Sequence, residues 1–103
     1  MMRTLHAGEL SGFITENEKC VVMFGASWCS PCKSLKPRVA DLATKLGKID
    51  RIVYADVDDL ADDISSLKIR SVPTLIAFSG GNVVMTSVGS TLDPSMKEKI
   101  ESL

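Results

Sequence analysis

Two cysteines two residues apart, in Cys29-Ser30-Pro31-Cys32, are the part of this 103-residue chain best suited to chemistry. A Cys-x-x-Cys closing one tight turn can hold a disulfide that opens and closes with little backbone movement. Thiolate, not thiol, is the nucleophile in thiol–disulfide exchange, so the local setting of each sulfur decides its role. Where a strand feeds a helix, the first sulfur lies at the positive end of that helix, against unpaired amide N–H groups that stabilise a thiolate. Cys29 is therefore the expected nucleophile. Cys32, one turn inside the helix, is the expected resolving thiol, attacking the mixed disulfide and expelling the reduced product. Trp28, just before the pair, can shield the sulfur and offer an apolar contact to a partner.

The elements that must position this pair can be read from the pattern of apolar residues. Cys20 to Phe24 is continuously apolar and predicts a strand buried on both faces, broken by Gly25-Ala26-Ser27 immediately before the dicysteine. After Cys32, the residues Leu35, Val39, Leu42 and Leu46 form one helical stripe. Pro31 suits the first turn of that helix, Pro37 sits inside it and should kink it, and Gly47 ends it. Upstream, Met2 to His6 can form an edge strand, and Leu10, Phe13 and Ile14 have helical spacing over Glu9 to Asn17.

Downstream, Ile52 to Val57 is a β-branched run and predicts a strand. Asp58 or Asp59 can cap a short helix with Leu60, Ile64 and Leu67 inward and Lys68 at its end. Thr74 to Phe78, the turn Ser79-Gly80-Gly81-Asn82 and Val83 to Val88 predict a hairpin. Asp93-Pro94 opens a last helix with Met96, Ile100 and Leu103 inward. The order β-α-β-α-β-α-β-β-α predicts an α/β fold, a central mixed sheet flanked by helices on both faces. With no repeat, linker or low-complexity stretch, residues 1–103 are expected to form a single domain.

Composition narrows the function. Apolar residues at 45% and charged residues at 24% exclude a disordered or fibrous chain. A net charge of −1 gives no electrostatic argument for nucleic acid or an anionic membrane. The longest apolar runs fall far short of the roughly 20 residues needed to cross a bilayer. Met1-Met2-Arg3-Thr4-Leu5-His6 lacks the pattern of a secretory signal, so the expected compartment is the reducing cytoplasm. Three cysteines are too few, and odd in number, for a secreted disulfide framework. A structural zinc would need four ligands, and only Cys20 and His6 could join the pair, at no recognised spacing. The acids Asp56, Asp58, Asp59, Asp62 and Asp63 lack the Gly and terminal Glu of a calcium loop and read as a solvated strand end and helix cap. No metal and no cofactor is expected. Cys20, at the head of an apolar run, reads as a small core residue, and Met85 and Met96 as core filler.

The chain resembles the thioredoxin family. The resemblance is carried by Phe24-Gly25-Ala26-Ser27-Trp28-Cys29-Ser30-Pro31-Cys32-Lys33, by Pro37, and by Asp56-Val57-Asp58. It continues through Ile69-Arg70-Ser71-Val72-Pro73-Thr74 and Val88-Gly89, in the family's order and spacing. What it implies is a thioredoxin fold and a protein dithiol–disulfide oxidoreductase. The pair would reduce protein disulfides and be recharged by thioredoxin reductase, an NADPH-dependent flavoprotein, with the chain acting as a monomer. It also implies that Pro73 is cis and faces the dicysteine, leaving the Val72 backbone free to pair with an extended substrate segment. Gly89 would lie alongside, so that Trp28, Val72, Pro73 and Gly89 form a mostly apolar docking patch.

The sequence also departs from that pattern. Ser30 stands where the family usually has Gly, and with Pro31 it is expected to tune the redox potential. Gly25 replaces a larger residue and is expected to loosen the end of its strand. Met23 stands where the family commonly buries an acid, and Tyr54 where it often has a lysine. Apolar replacement of a buried ion pair is often neutral or stabilising, so the fold is compatible with the loss. Two other function classes fit the same fold: a binding module with an idle dicysteine, and an oxidant or isomerase of a secretory compartment. The intact Cys29, Cys32, Trp28 and Pro73 oppose the first. Ser-Pro rather than Gly-His between the cysteines opposes the second.

Overall fold

A computed structural model describes residues 2–103. Five strands form one mixed sheet: β1 (Arg3–Thr4), β2 (Lys19–Gly25), β3 (Ile52–Asp56), β4 (Thr74–Ser79) and β5 (Asn82–Val88). Their spatial order is β1-β3-β2-β4-β5, with β1 and β2 parallel to β3, and β4 antiparallel to both β2 and β5. The strand expected to be buried on both faces is thus the central one. Every residue from Cys20 to Gly25 is buried.

Side chains alternate along β2, so each half of its apolar run feeds a different core. Val21 and Met23 join Ile52, Tyr54, Leu75 and Ala77 against α2 (Ser30–Lys45) and α3 (Pro94–Glu101). Cys20, Val22 and Phe24 join Val53, Ala55, Ile76 and Phe78 against α1 (Leu10–Glu16) and the residues after β3. Helices therefore cover both faces, as expected.

In α2 the fully buried row is Cys32, Leu35, Val39 and Ala43, with Leu42 and Leu46 half-buried beside it. Burial of Leu35 and Val39 contributes roughly 1.5–3 kcal/mol each. The helix continues through Pro37 and closes after Lys45, where Gly47 N donates to Thr44 O at 3.1 Å and Lys48 N to Ala43 O at 2.8 Å. The hairpin turn needs two left-handed residues in succession, and Gly80 and Gly81 supply them at φ +58° and +83°. Asp93 caps α3 by accepting from Ser95 N at 2.7 Å, and Met96, Ile100 and Leu103 are buried as expected.

One expected element is absent in regular form. Residues 57–68 make a succession of turns rather than a helix. Single helical bonds survive, from Leu60 N to Asp56 O at 3.0 Å and from Ile64 N to Leu60 O at 3.1 Å, and Leu60, Ile64 and Leu67 do face inward. Asp58, Asp59, Asp62 and Asp63 place like charges three and four residues apart, which opposes a helix. Their carboxylates also compete for backbone N–H groups. Asp56, rather than Asp58 or Asp59, opens the segment by accepting from Asp58 N at 2.8 Å. Asp63 instead accepts from Gly8 N at 3.0 Å and Leu10 N at 3.4 Å, tying the segment to the start of α1. β3 correspondingly stops at Asp56, one residue short of the expected Val57.

Candidate active site

The dicysteine sits at the junction between β2 and α2, the place that puts a sulfur at a helix start. Cys29 is the N-cap of α2 and is joined to Cys32 by a disulfide with the α-carbons 5.3 Å apart. The Cys32 backbone N–H donates to Cys29 Sγ at 3.3 Å, so one of the orphan donors of the first turn is spent on sulfur. Cys29 and Cys32 retain only 5% and 2% of their exposure, whereas Trp28 beside them retains 68%. The pair is reached from a rim, not from open solvent.

The antiparallel pairing of β4 with β2 brings the second half of the site to the same place. Phe24 pairs with Thr74, so the residues just before β4 lie against those just after β2. The Val72–Pro73 bond is cis, as the resemblance implied, and the Val72 carbonyl oxygen lies 3.7 Å from Cys29 Sγ. Gly89 N donates to Pro73 O at 2.9 Å, which draws Gly89 alongside. Trp28 and Val72 share a shallow cleft of about 170 Å³ with Val57, Ile69, Arg70 and Ser71. Larger grooves of about 320 and 470 Å³ elsewhere include neither reactive cysteine. A shallow apolar rim around a sulfur suits another protein's disulfide better than an enclosed small molecule.

Three residues at the site went unrecognised in the sequence. Asp58 Oδ2 accepts from Trp28 Nε1 at 2.9 Å and so fixes the exposed indole. Asp56 Oδ2 accepts from Ser27 N at 3.2 Å, holding the turn that precedes the pair. Both lie in a stretch read as solvated acids, although its spacing was part of the family resemblance. Lys36 places its Nζ 3.9 Å from the centroid of the Tyr54 ring. Its position four residues after Cys32, on the same helix face, was the available signal.

Beneath the pair, Met23 is fully buried and Tyr54 nearly so. The expectation that Gly25 loosens its strand is overturned: Gly25 pairs in register with Asp56, and the Tyr54 ring fills the space above it. A Cβ at position 25 would lie 2.7 Å from Tyr54 Oη and 2.8 Å from Cε1, so a larger residue is excluded unless the ring moves. Burial, then the charges of Asp56 and Asp59, push the Tyr54 hydroxyl above its ordinary pKa. Ser30 is exposed and Pro31 occupies the first turn of α2. Cys20 is fully buried on the other face of the sheet, and burial pushes its thiol up to about 11. Met96 is core, Met85 half-buried, and His6 exposed.

Comparison with known proteins agrees with this geometry. Residues 2–102 match the family model for thioredoxin. A thioredoxin of Mycoplasmoides gallisepticum is 34% identical over 101 residues, covering 98% of this chain and all of that one. A thioredoxin of Bacillus subtilis is 34% identical over 90 residues, covering 85% and 86%. The solved structure of the reduced thioredoxin pre-protein of Schistosoma mansoni superposes with a TM-score of 0.85 at 31% identity, covering 98% of this chain and 96% of that one. With its cysteine pair capping a helix behind an exposed tryptophan, this chain belongs to the thioredoxin family, oxidoreductases that act on protein disulfides through a redox-active dithiol.

Proposed function

We propose that residues 1–103 act as one domain in which Cys29 attacks the substrate disulfide and Cys32 resolves the intermediate. The observation that carries the assignment is the Cys32 N–H donated to Cys29 Sγ at the start of α2. The same donor and the helix end stabilise a thiolate on Cys29 when the disulfide opens. Trp28, Val72, Pro73 and Gly89 form the docking patch, supported by their convergence around Cys29. Ser30 and Pro31, between the sulfurs, and Met23 and Tyr54, beneath them, tune the pair.

The spent disulfide is returned to the dithiol by an NADPH-dependent flavoprotein, thioredoxin reductase, which meets the same patch. The chain works as a monomer, since the patch must be uncovered to receive either partner. A reductant of protein disulfides needs a compartment that keeps it reduced, which is the basis for placing it in the cytoplasm.

Cys29→Ser abolishes attack on a protein disulfide, whereas Cys32→Ser attacks and then stalls as a mixed disulfide. Mass spectrometry of the trapped complex reads the outcome. A trap formed only by the Cys29 variant reverses the two roles.

A further inference from the structure

Tyr54 is held between two groups that have no other evident reason to meet. On one side its hydroxyl end lies over Gly25, in space that any larger side chain would take. On the other, the Lys36 ammonium rests on the ring face, 3.9 Å from its centroid, in a cation–π contact. Lys36 follows Cys32 by four residues, so their β-carbons are on the order of 6 Å apart on one face of α2. Cys29, Cys32, Met23 and Tyr54 belong to one buried cluster.

Charged groups approach Tyr54 from three parts of the fold. Asp56 approaches from the end of β3, Asp59 from the segment that follows, and Lys36 from α2. The paired position on β2 is Met23, with Gly25 beyond it, and the paired position on β1 is Thr4; none carries a charge. Asp56 is engaged by the N–H groups of Ser27 and Asp58. Met23, Ala26, Leu35 and Val39, which share the buried cluster with Cys32, carry no charge. The first cations after Cys32 on α2 are Lys33 and Lys36, and Lys36 is the one that rests on the Tyr54 ring.

We propose that Tyr54 is a seat for the Lys36 ammonium, and that Lys36, so held, is a positioning residue that favours the Cys32 thiolate in the resolving step. The inference rests on the resolving role proposed for Cys32. In that step the Cys32 S–H gives its proton to solvent. The freed electron pair forms the Cys32–Cys29 bond, the bond between Cys29 and the substrate sulfur breaks, and the leaving sulfur takes a proton from solvent. Over the full cycle two electrons pass from the cysteine pair to the substrate disulfide, and Lys36 keeps its proton throughout.

The test mixes the fully reduced protein with an aromatic disulfide that releases a coloured thiol, followed by stopped flow across pH. The first phase of release is attack by Cys29 and the second is resolution by Cys32. Removing a cation at this range should raise the pH midpoint of the second phase by about one unit in Lys36→Met. Lys36→Arg restores it, and the first phase is unchanged. Tyr54→Leu reproduces the Lys36→Met shift because the seat is gone, whereas Tyr54→Phe keeps the ring and the wild-type midpoint. An unmoved midpoint in Lys36→Met overturns the proposal, as does an equal slowing of both phases. A shift in Tyr54→Phe equal to that of Tyr54→Leu also overturns it, by assigning the effect to the hydroxyl. A second phase that persists in Cys32→Ser refutes instead the resolving role on which the proposal stands.

Discussion

Cys20 and Cys32 are almost equally buried, at 0% and 2% exposure, on opposite faces of the same sheet. Only one of them is joined to a second sulfur. Cys20 lies within β2, where the strand's own ladder uses the nearby backbone groups and burial alone acts on the thiol. Cys32 lies in the first turn of α2, where amide N–H groups have no partners within the helix and a second sulfur is in bonding reach. Burial by itself disarms a thiol; a helix start and a neighbouring sulfur give it work.

The largest expected effect that tests this contrast is in alkylation. A thiol with a pKa of about 11 holds fewer than about one thiolate per thousand molecules near neutral pH. Iodoacetamide applied to the reduced, folded protein therefore labels Cys29 first and leaves Cys20 unlabelled, as peptide mass mapping will show. Labelling of Cys20 ahead of Cys29 breaks the comparison.

The same raised pKa makes stability depend on pH in a fixed direction. The unfolded thiol titrates near its ordinary value of about 9. Stability contributed by Cys20 is fully present below that value and is lost as pH rises toward about 11, because the unfolded chain ionises first. The loss is on the order of 2–3 kcal/mol across that window. Cys20→Ala has no such proton to release, so denaturant melts of the two proteins should differ more at pH 8 than at pH 10. A constant difference means that position 20 is less isolated from solvent than its burial indicates.

The dicysteine face can be strained without touching Cys20. Gly25→Ala drives a Cβ into the Tyr54 ring and should cost about 1–3 kcal/mol. Against a Tyr54→Leu background the same substitution should cost less, and a double-mutant cycle by chemical denaturation measures the difference. Equal costs in both backgrounds show that the ring yields freely.

The smallest effect lies on the Cys20 side. Lys68 ends the irregular segment in the left-handed region at φ +56°, a conformation costly to any residue with a Cβ. Lys68→Gly should gain about 0.5–1 kcal/mol, the relief being partly offset by the greater freedom of glycine in the unfolded chain. Disulfide reductase activity should not change. A lower melting temperature would show that the lysine side chain outweighs its backbone.

The same contrast explains what could be read in advance. The dicysteine and α2 were legible because their information is local: four residues carry the chemistry, and the spacing of Leu35 and Val39 carries the helix. β2 was legible because an unbroken apolar run fits only the middle of a sheet. The segment 57–68 misled because the inward spacing of Leu60, Ile64 and Leu67 is helical, while the aspartates between them oppose a regular helix by charge and by hydrogen bonding. Contacts that join distant parts of the chain left little trace. Trp28 and Asp58 are 30 residues apart, and the Tyr54 seat is assembled from β2, β3 and α2. Even so, Met23 was readable as a departure, and it is buried as an apolar residue should be.

Trp28 is the sole tryptophan of the chain, it stands next to the disulfide in sequence, and its indole is tethered to Asp58. Indole emission responds to what stands beside the ring, so opening the disulfide should change it. The protein therefore carries its own optical gauge: every change in tryptophan fluorescence arises at one known position, held in one orientation, beside the bond that reacts. Turnover can be followed in real time without attaching a dye to the protein.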